Sequence, residues 1–133
     1  MIRSDRNKTL DQLDPPAWGE PRDDSHLVTT CHRLRRKPLR EFAVEDLRVM
    51  IGQSFSLPWL IPLAVEALEA EPLVAGDFYA GDLLAAVLKV PPDFWRAAPE
   101  WRSRTQAVLD RVHPASTELR AAIMAFRGVA TQR

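Results

Sequence analysis

The 133-residue sequence has little of what secreted, membrane-bound and catalytic proteins usually carry. Its only cysteine is Cys31, which excludes an intramolecular disulfide. No run approaches the roughly 18 apolar residues of a membrane-spanning helix. The first residues also lack the apolar centre of a signal peptide. These absences lead us to expect a cytoplasmic protein that does not associate with a membrane.

Motifs typical of catalytic, phosphate-binding and metal-binding sites are also missing. The sequence has no glycine-rich phosphate loop and no serine-hydrolase elbow. Cys31 and His32 are adjacent, and adjacent side chains on a helix diverge, so they do not form a nucleophile–base pair. The spacing of His26, His32 and His113 does not match a set of metal ligands. We therefore expect no catalytic residue, no cofactor and no bound metal.

The formal net charge is zero, whereas a dedicated nucleic-acid-binding protein usually has a basic excess. The charge is nevertheless uneven. Residues 49–88 contain no lysine or arginine and carry −5, which leaves +5 on the rest of the chain. The acidic side chains of this segment are Glu66, Glu69, Glu71, Asp77 and Asp82. They are either solvated helix ends or an electrostatic face for a basic partner.

Two aromatic residues, Phe78 and Tyr79, lie in a turn-forming segment between glycines and beside two aspartates. Aromatic side chains in such loops are typical interface anchors, although packing within the loop is the alternative. No companion lysine or histidine supports magnesium binding or acid–base catalysis here. The binding surface that we predict from these patterns consists of Glu66, Glu69, Glu71, Asp77, Phe78, Tyr79 and Asp82.

A basic run occupies residues 33–40, with the cations Arg33, Arg35, Arg36, Lys37 and Arg40. Positive charge at the C-terminus of a helix is stabilised by the helix dipole, which is one interpretation. Intramolecular pairing with acidic residues nearby is a second. Contact with phosphates is a third. Under this third interpretation, the alternative function of the protein is that of a helical nucleic-acid-binding regulator.

The apolar residues follow helical spacing, and no strand-like alternation is present. Residues 1–23 are polar and predict a mostly extended arm, with Trp18 docked on the body. Residues 24–133 predict an all-α, single-domain array of about five to six antiparallel helices, with the apolar helix at 57–70 at its centre. Asp24 or Ser25 is expected to cap the first helix, and Gly128 to end the last. The helices are expected at 25–36, 44–53, 57–70, 81–89, 99–112 and 116–127. A short helical turn is expected after Pro92. Trp59, Trp95 and Trp101 are expected in the core.

Several segments form an ordered series between about Leu10 and Trp95. They are Trp18-Gly19-Glu20-Pro21, Leu27-Val28-Thr29-Thr30-Cys31-His32-Arg33-Leu34-Arg35-Arg36-Lys37-Pro38-Leu39, Phe42, Val44-Glu45-Asp46-Leu47-Arg48, Ile51-Gly52-Gln53, Pro62-Leu63-Ala64 and Gly76-Asp77-Phe78-Tyr79-Ala80-Gly81-Asp82-Leu83-Leu84. This series resembles the contact-dependent growth inhibition (CDI) immunity proteins, which are bacterial partners of toxins delivered between neighbouring cells.

The resemblance implies specific binding and inhibition of the C-terminal toxin domain of a large secreted effector. Such toxins are often nucleases with basic active-site clefts, which an acidic segment would suit. The resemblance supplies no catalytic residues. We therefore expect a non-enzymatic inhibitor that binds its cognate toxin domain without direct contact to nucleic acid. The sequence does not fix the oligomeric state, and a monomer is favoured.

Overall fold

A computed structural model describes residues 3–20, 25–113 and 117–131 of the chain. Within these ranges the protein is all-α and has no strand, as the sequence predicted. Two short 3-10 helices, Arg3–Asn7 and Leu39–Glu41, accompany the α-helices. The α-helices of the described part are α1 (Leu10–Leu13), α2 (His26–Leu34), α3 (Val44–Gly52), α4 (Leu57–Ala70), α5 (Asp82–Leu88), α6 (Pro92–Ala97), α7 (Pro99–Leu109) and α8 (Thr117–Thr131).

The central helix is α4, as its apolar composition predicted. It contacts α3, α5 and α7, and half of its residues are buried. Pro58 lies in the first turn, where the N–H that proline lacks would have no partner within the helix. Each large aliphatic side chain that α4 buries contributes about 1.5–3 kcal/mol through the hydrophobic effect. The core residues of α4 include Leu57, Leu60, Ile61, Ala64, Val65 and Leu68.

The C-terminal helix α8 packs on α5 through its predicted apolar face. Phe126 meets the buried Trp95 edge-on, with ring centroids 5.3 Å apart. Trp59 and Trp101, by contrast, are only half-buried against the core. The predicted end of this helix at Gly128 is wrong, because α8 continues to Thr131. Near a helix end, the cost of about 1 kcal/mol for an internal glycine is tolerated.

The N-terminal segment is not an extended arm in its described part. Residues 3–13 contain a 3-10 helix and α1, and Leu10 is completely buried in the core. Thr9 caps α1, because its Oγ1 accepts the Gln12 N–H over 3.3 Å, while Gln12 Oε1 accepts the Thr9 N–H over 2.9 Å. The helix has only four residues, so its periodicity was too short to be seen in the sequence.

Trp18 docks on the body, as predicted. Its ring lies edge-on to Phe55 at 4.9 Å and to His32 at 5.0 Å, and the Arg35 guanidinium lies 4.7 Å from its centroid. These contacts fix Trp18 against the end of α2 and the connection between α3 and α4.

The start of α2 is as predicted, because Ser25 Oγ accepts the Val28 N–H over 3.2 Å. The alternative cap, Asp24, lies outside the described residues, and so does the predicted start of the last helix at Ser116. The helices α2 and α7 end slightly before the predicted positions. No helix within the described ranges is long and apolar enough to cross a lipid bilayer.

Candidate functional site

Residues 71–81 connect α4 to α5. Within this connector, residues 73–81 form a closed loop, which we call the aromatic loop. The Gly81 N–H donates to the Leu73 carbonyl over 3.0 Å, and Ala75 and Ala80 form an isolated antiparallel bridge. Both ends of the loop are therefore held together by backbone contacts. Phe78 and Tyr79 lie between them, at the tip.

Asp82, the first residue of α5, holds the backbone of this tip from inside. Only 3% of the residue is exposed. Its carboxylate accepts the N–H of Gly76 over 2.6 Å, of Phe78 over 3.0 Å and of Tyr79 over 3.4 Å. Hydrogen bonds to an ionised acceptor are about twice as strong as those between neutral groups. Asp82 therefore fixes the conformation of the loop on the side that faces the protein.

A second support comes from α3. Glu45 Oε1 accepts the Asp77 N–H over 2.9 Å and the Arg48 Nε–H over 2.7 Å. The hydrogen bond from Arg48 holds the pKa of Glu45 below its ordinary value of 4.5, so this carboxylate stays ionised. Arg48 also lies 3.9 Å from Asp82 and 4.3 Å from the Phe78 ring centroid. The pair thus contacts both the backbone and an aromatic side chain of the loop.

Gly76 permits the close approach of these carboxylates to the loop backbone. A Cβ atom at this position would lie 2.6 Å from Glu45 Oε1 and 3.0 Å from Asp82 Oδ2. Real Cβ atoms essentially never approach another atom within 3.0 Å. A side chain here would therefore displace the Glu45 and Asp82 carboxylates from their positions against the loop.

The tip of the loop is presented to solvent. Phe78 is 70% exposed and Tyr79 is 51% exposed, and Asp77 beside them is exposed as well. Large hydrophobic side chains with this exposure are few in the described ranges: the others are Leu27 and Met124, each on a separate helix. Two adjacent exposed aromatics on a braced loop form the natural candidate for a binding surface.

The remaining acidic side chains of the predicted surface have different surroundings. Glu66 on α4 pairs with Arg6, and Glu69 accepts two hydrogen bonds from Arg104 on α7. Glu71 is exposed and accepts the Leu73 N–H over 3.4 Å. The structure thus brings Asp77, Phe78 and Tyr79 together at the surface and places Asp82 beneath them. It gives Glu66 and Glu69 arginine partners from outside residues 49–88.

The basic run of residues 33–40 is mostly engaged within the chain. Arg35 is 2% exposed and bonds to Asp11 and to several backbone carbonyls. Arg36 bonds to the Gly19 carbonyl and to Glu20, and Lys37 bonds to Asp46. Arg40 lies 3.6 Å from Glu41. The interpretation of this run as intramolecular pairing is therefore confirmed for four of its five cations, and Arg33 is exposed.

Cys31 and His32 have separate structural surroundings. Burial raises the pKa of the Cys31 thiol, which makes it a poor nucleophile. His32 points its Nδ1 at the Gly19 carbonyl over 3.0 Å and packs on Trp18. Within the described part of the chain, no three histidine, cysteine or acidic side chains are grouped so that they could hold a metal ion.

Sequence reasoning missed Glu45, Arg48 and Gly76 as parts of this site. Glu45 and Arg48 are three residues apart on a predicted helix, a spacing that favours an ion pair, but nothing in the sequence relates α3 to a loop some thirty residues further on. Gly76 was recognised as a turn former only.

The family model of CDI immunity proteins matches residues 12–105 of this sequence. The chain belongs to the CDI immunity protein family. The match confirms the resemblance seen in the ordered segments, and it spans α2 to α6, the aromatic loop and most of α7. The helix α8 lies outside the matched part. No curated protein matches the chain.

Proposed function

We propose that this CDI immunity protein binds the C-terminal toxin domain of its cognate effector and neutralises it by binding alone. The observation that carries the proposal is the exposed, braced pair Phe78 and Tyr79 at the tip of the aromatic loop. Family membership supports the toxin as the partner, since an immunity protein is defined by the toxin that it counters.

The aromatic loop suits this task for energetic reasons. Aromatic side chains dominate the binding energy of many interfaces, because they bury a large area and have few torsions to immobilise. A loop that is already ordered in the free protein avoids much of the entropy cost of binding. The proposed contact residues are therefore Phe78 and Tyr79 first, with Asp77 and Glu71 as exposed acids along the same connector.

The charge at the loop indicates the chemistry of the partner. The carboxylates of Glu45 and Asp82 lie beside one guanidinium, that of Arg48, and Asp77 on the loop adds a third negative charge, so these four groups carry −2. Such a surface complements an apolar pocket with lysine or arginine at its rim. A nuclease toxin with a basic active-site cleft would present this arrangement, and we propose that class of toxin. Occupation of the cleft would exclude its nucleic-acid substrate.

We further propose that the protein acts as a monomer in the cytoplasm of the recipient cell, in a 1:1 complex with the toxin domain. Inhibition would need no chemistry from the immunity protein, because a partner that covers the substrate-binding cleft blocks turnover by occupancy. The acids Glu66 and Glu69 are secondary candidates for contact, since a toxin would have to compete with Arg6 and Arg104 for them.

The test is co-expression with the toxin domain encoded beside this gene. Cells that produce the toxin with the immunity protein should grow, and the two proteins should elute together with the mass of a 1:1 complex. A non-cognate toxin domain from the same class of effector serves as the control for specificity. Growth arrest despite co-expression, together with separate elution, would overturn the proposed function.

A further inference from the structure

We infer that Asp82 is a positioning residue: it strengthens toxin binding by fixing Phe78 and Tyr79, without contacting the toxin itself. The inference rests on the proposed function, and it replaces a direct contact of Asp82 with the toxin by an indirect effect through the two aromatics. The sequence suggested a surface contact for Asp82. The structure instead places its carboxylate under the loop, with 2% of the side chain exposed.

The geometry supports an indirect effect. Each carboxylate oxygen of Asp82 already has loop partners: Oδ1 accepts the Gly76 N–H, and Oδ2 accepts those of Phe78 and Tyr79. The two residues whose backbone N–H groups donate to Oδ2 are the exposed aromatics themselves. The backbone segment that carries both rings is therefore fixed by one buried carboxylate. A change in that carboxylate alters the affinity of a toxin that binds the rings.

Without Asp82 the loop would populate several conformations. The apparent affinity of a ligand falls in proportion to the fraction of protein in the competent state. In Asp82→Asn, one oxygen is replaced by an NH2 group that faces backbone N–H donors instead of accepting from them. Asp77→Asn is the matched control, because it removes the same charge from the exposed side of the same loop.

Hydrogen exchange in the free protein tests the positioning itself. In Asp82→Asn the backbone amides of Gly76, Phe78 and Tyr79 should exchange at least about 10-fold faster, since each loses or weakens its acceptor. In Asp77→Asn they should exchange as in the wild type. Unchanged exchange in Asp82→Asn would overturn the inference.

A double-mutant cycle tests the route to affinity. Asp82→Asn should weaken toxin binding by about 10-fold, with little change in the salt dependence of association. In a Phe78→Ala/Tyr79→Ala background the same substitution should have almost no further effect, because the rings through which it acts are gone. An effect of Asp82→Asn that persists in full without the rings would show direct or general action and overturn the inference.

A second variant covers the case in which Asp82→Asn does not fold. Gly76→Ala leaves every exposed side chain of the loop in place but pushes its new Cβ against Glu45 and Asp82. It should reproduce the faster exchange and the loss of affinity. Failure of the wild-type chain to bind its toxin would overturn the proposed function, and the inference with it. Toxin binding without the predicted coupling would overturn the inference alone.

Discussion

Glu69 on α4 and Arg104 on α7 form an ion pair with two hydrogen bonds, one of them 2.9 Å between Arg104 Nε and Glu69 Oε2. The hydrogen bond from Arg104 lowers the pKa of Glu69. The guanidinium also lies 4.5 Å from the Trp101 ring centroid. Glu69 therefore joins two helices in the free protein. Some acidic side chains of residues 49–88 are thus free to meet a partner, whereas others are paired or buried. Substitutions can distinguish these two groups.

We expect Asp77→Asn to slow association with the toxin more than Glu69→Gln does. Asp77 is exposed on the aromatic loop, whereas the charge of Glu69 is compensated by Arg104. Loss of one exposed charge that faces a cation changes the rate by roughly fivefold at most. Stopped-flow association at low and high salt measures this, and Asp77→Asn should also flatten the salt dependence. Equal effects of the two substitutions would contradict the assignment of Asp77 to the contact surface.

Arg35→Ala should destabilise the protein by about 3 kcal/mol, because it leaves buried and half-buried acceptors without their cation. Arg35 donates to Asp11 over 2.8 Å and to the Leu10 and Pro16 carbonyls over 3.3 Å, which ties the N-terminal segment to α2. The neighbouring Arg36→Ala is the control and should cost less than about 1 kcal/mol, since that ion pair is exposed. Denaturant titration gives both free energies of unfolding. Similar values would contradict the structural role of Arg35.

Acid should weaken the contact between Glu45 and the aromatic loop. Arg48 lowers the folded-state pKa of Glu45 below 4.5, so the unfolded chain binds more protons in the window beneath that value. The stabilisation is therefore complete above pH 4.5 and is lost as the pH falls through the folded-state pKa. The free energy of unfolding, measured against pH, should decline less steeply in Glu45→Gln than in the wild type. Parallel curves for the two proteins would contradict this contribution.

We expect no salt-dependent binding of DNA or RNA, even at low salt, where phosphate contacts are strongest. Four of the five cations in residues 33–40 have acceptors within the chain, so Arg33 is the one cation of that run for which the structure shows no contact. A mobility-shift titration measures this. A shift that disappears in Arg33→Ala would contradict the expectation and favour the nucleic-acid-binding alternative.

The sequence was informative about the helices because their apolar periodicity persists over several turns. It predicted α4 as the central helix and the inward face of α8 correctly. It did not predict α1, because four residues give too short a pattern and the helix is bonded to Arg35, a residue far along the chain. Tertiary contacts of this kind leave no local signal.

In the candidate site, too, the features with a local sequence pattern were predicted and those that depend on tertiary contacts were not. Asp77, Phe78 and Tyr79 were identified from loop chemistry, and the structure places them together at the surface. Asp82 has the same residue type as Asp77 and lies in the same segment, yet it is buried. Composition cannot distinguish an acid that faces solvent from one that holds a backbone, because that difference arises only when α5 packs on α3.

The most direct test of this account is the dissociation constant of the toxin complex for Phe78→Ala/Tyr79→Ala, beside the control Met124→Ala. Met124 is equally exposed but lies on α8, outside the family match. Removal of the loop aromatics should weaken binding by about 30-fold or more and abolish protection of growth. Met124→Ala should stay within about twofold of the wild type. Unchanged affinity in the loop variant would contradict the claim that this CDI immunity protein binds its toxin through the aromatic loop.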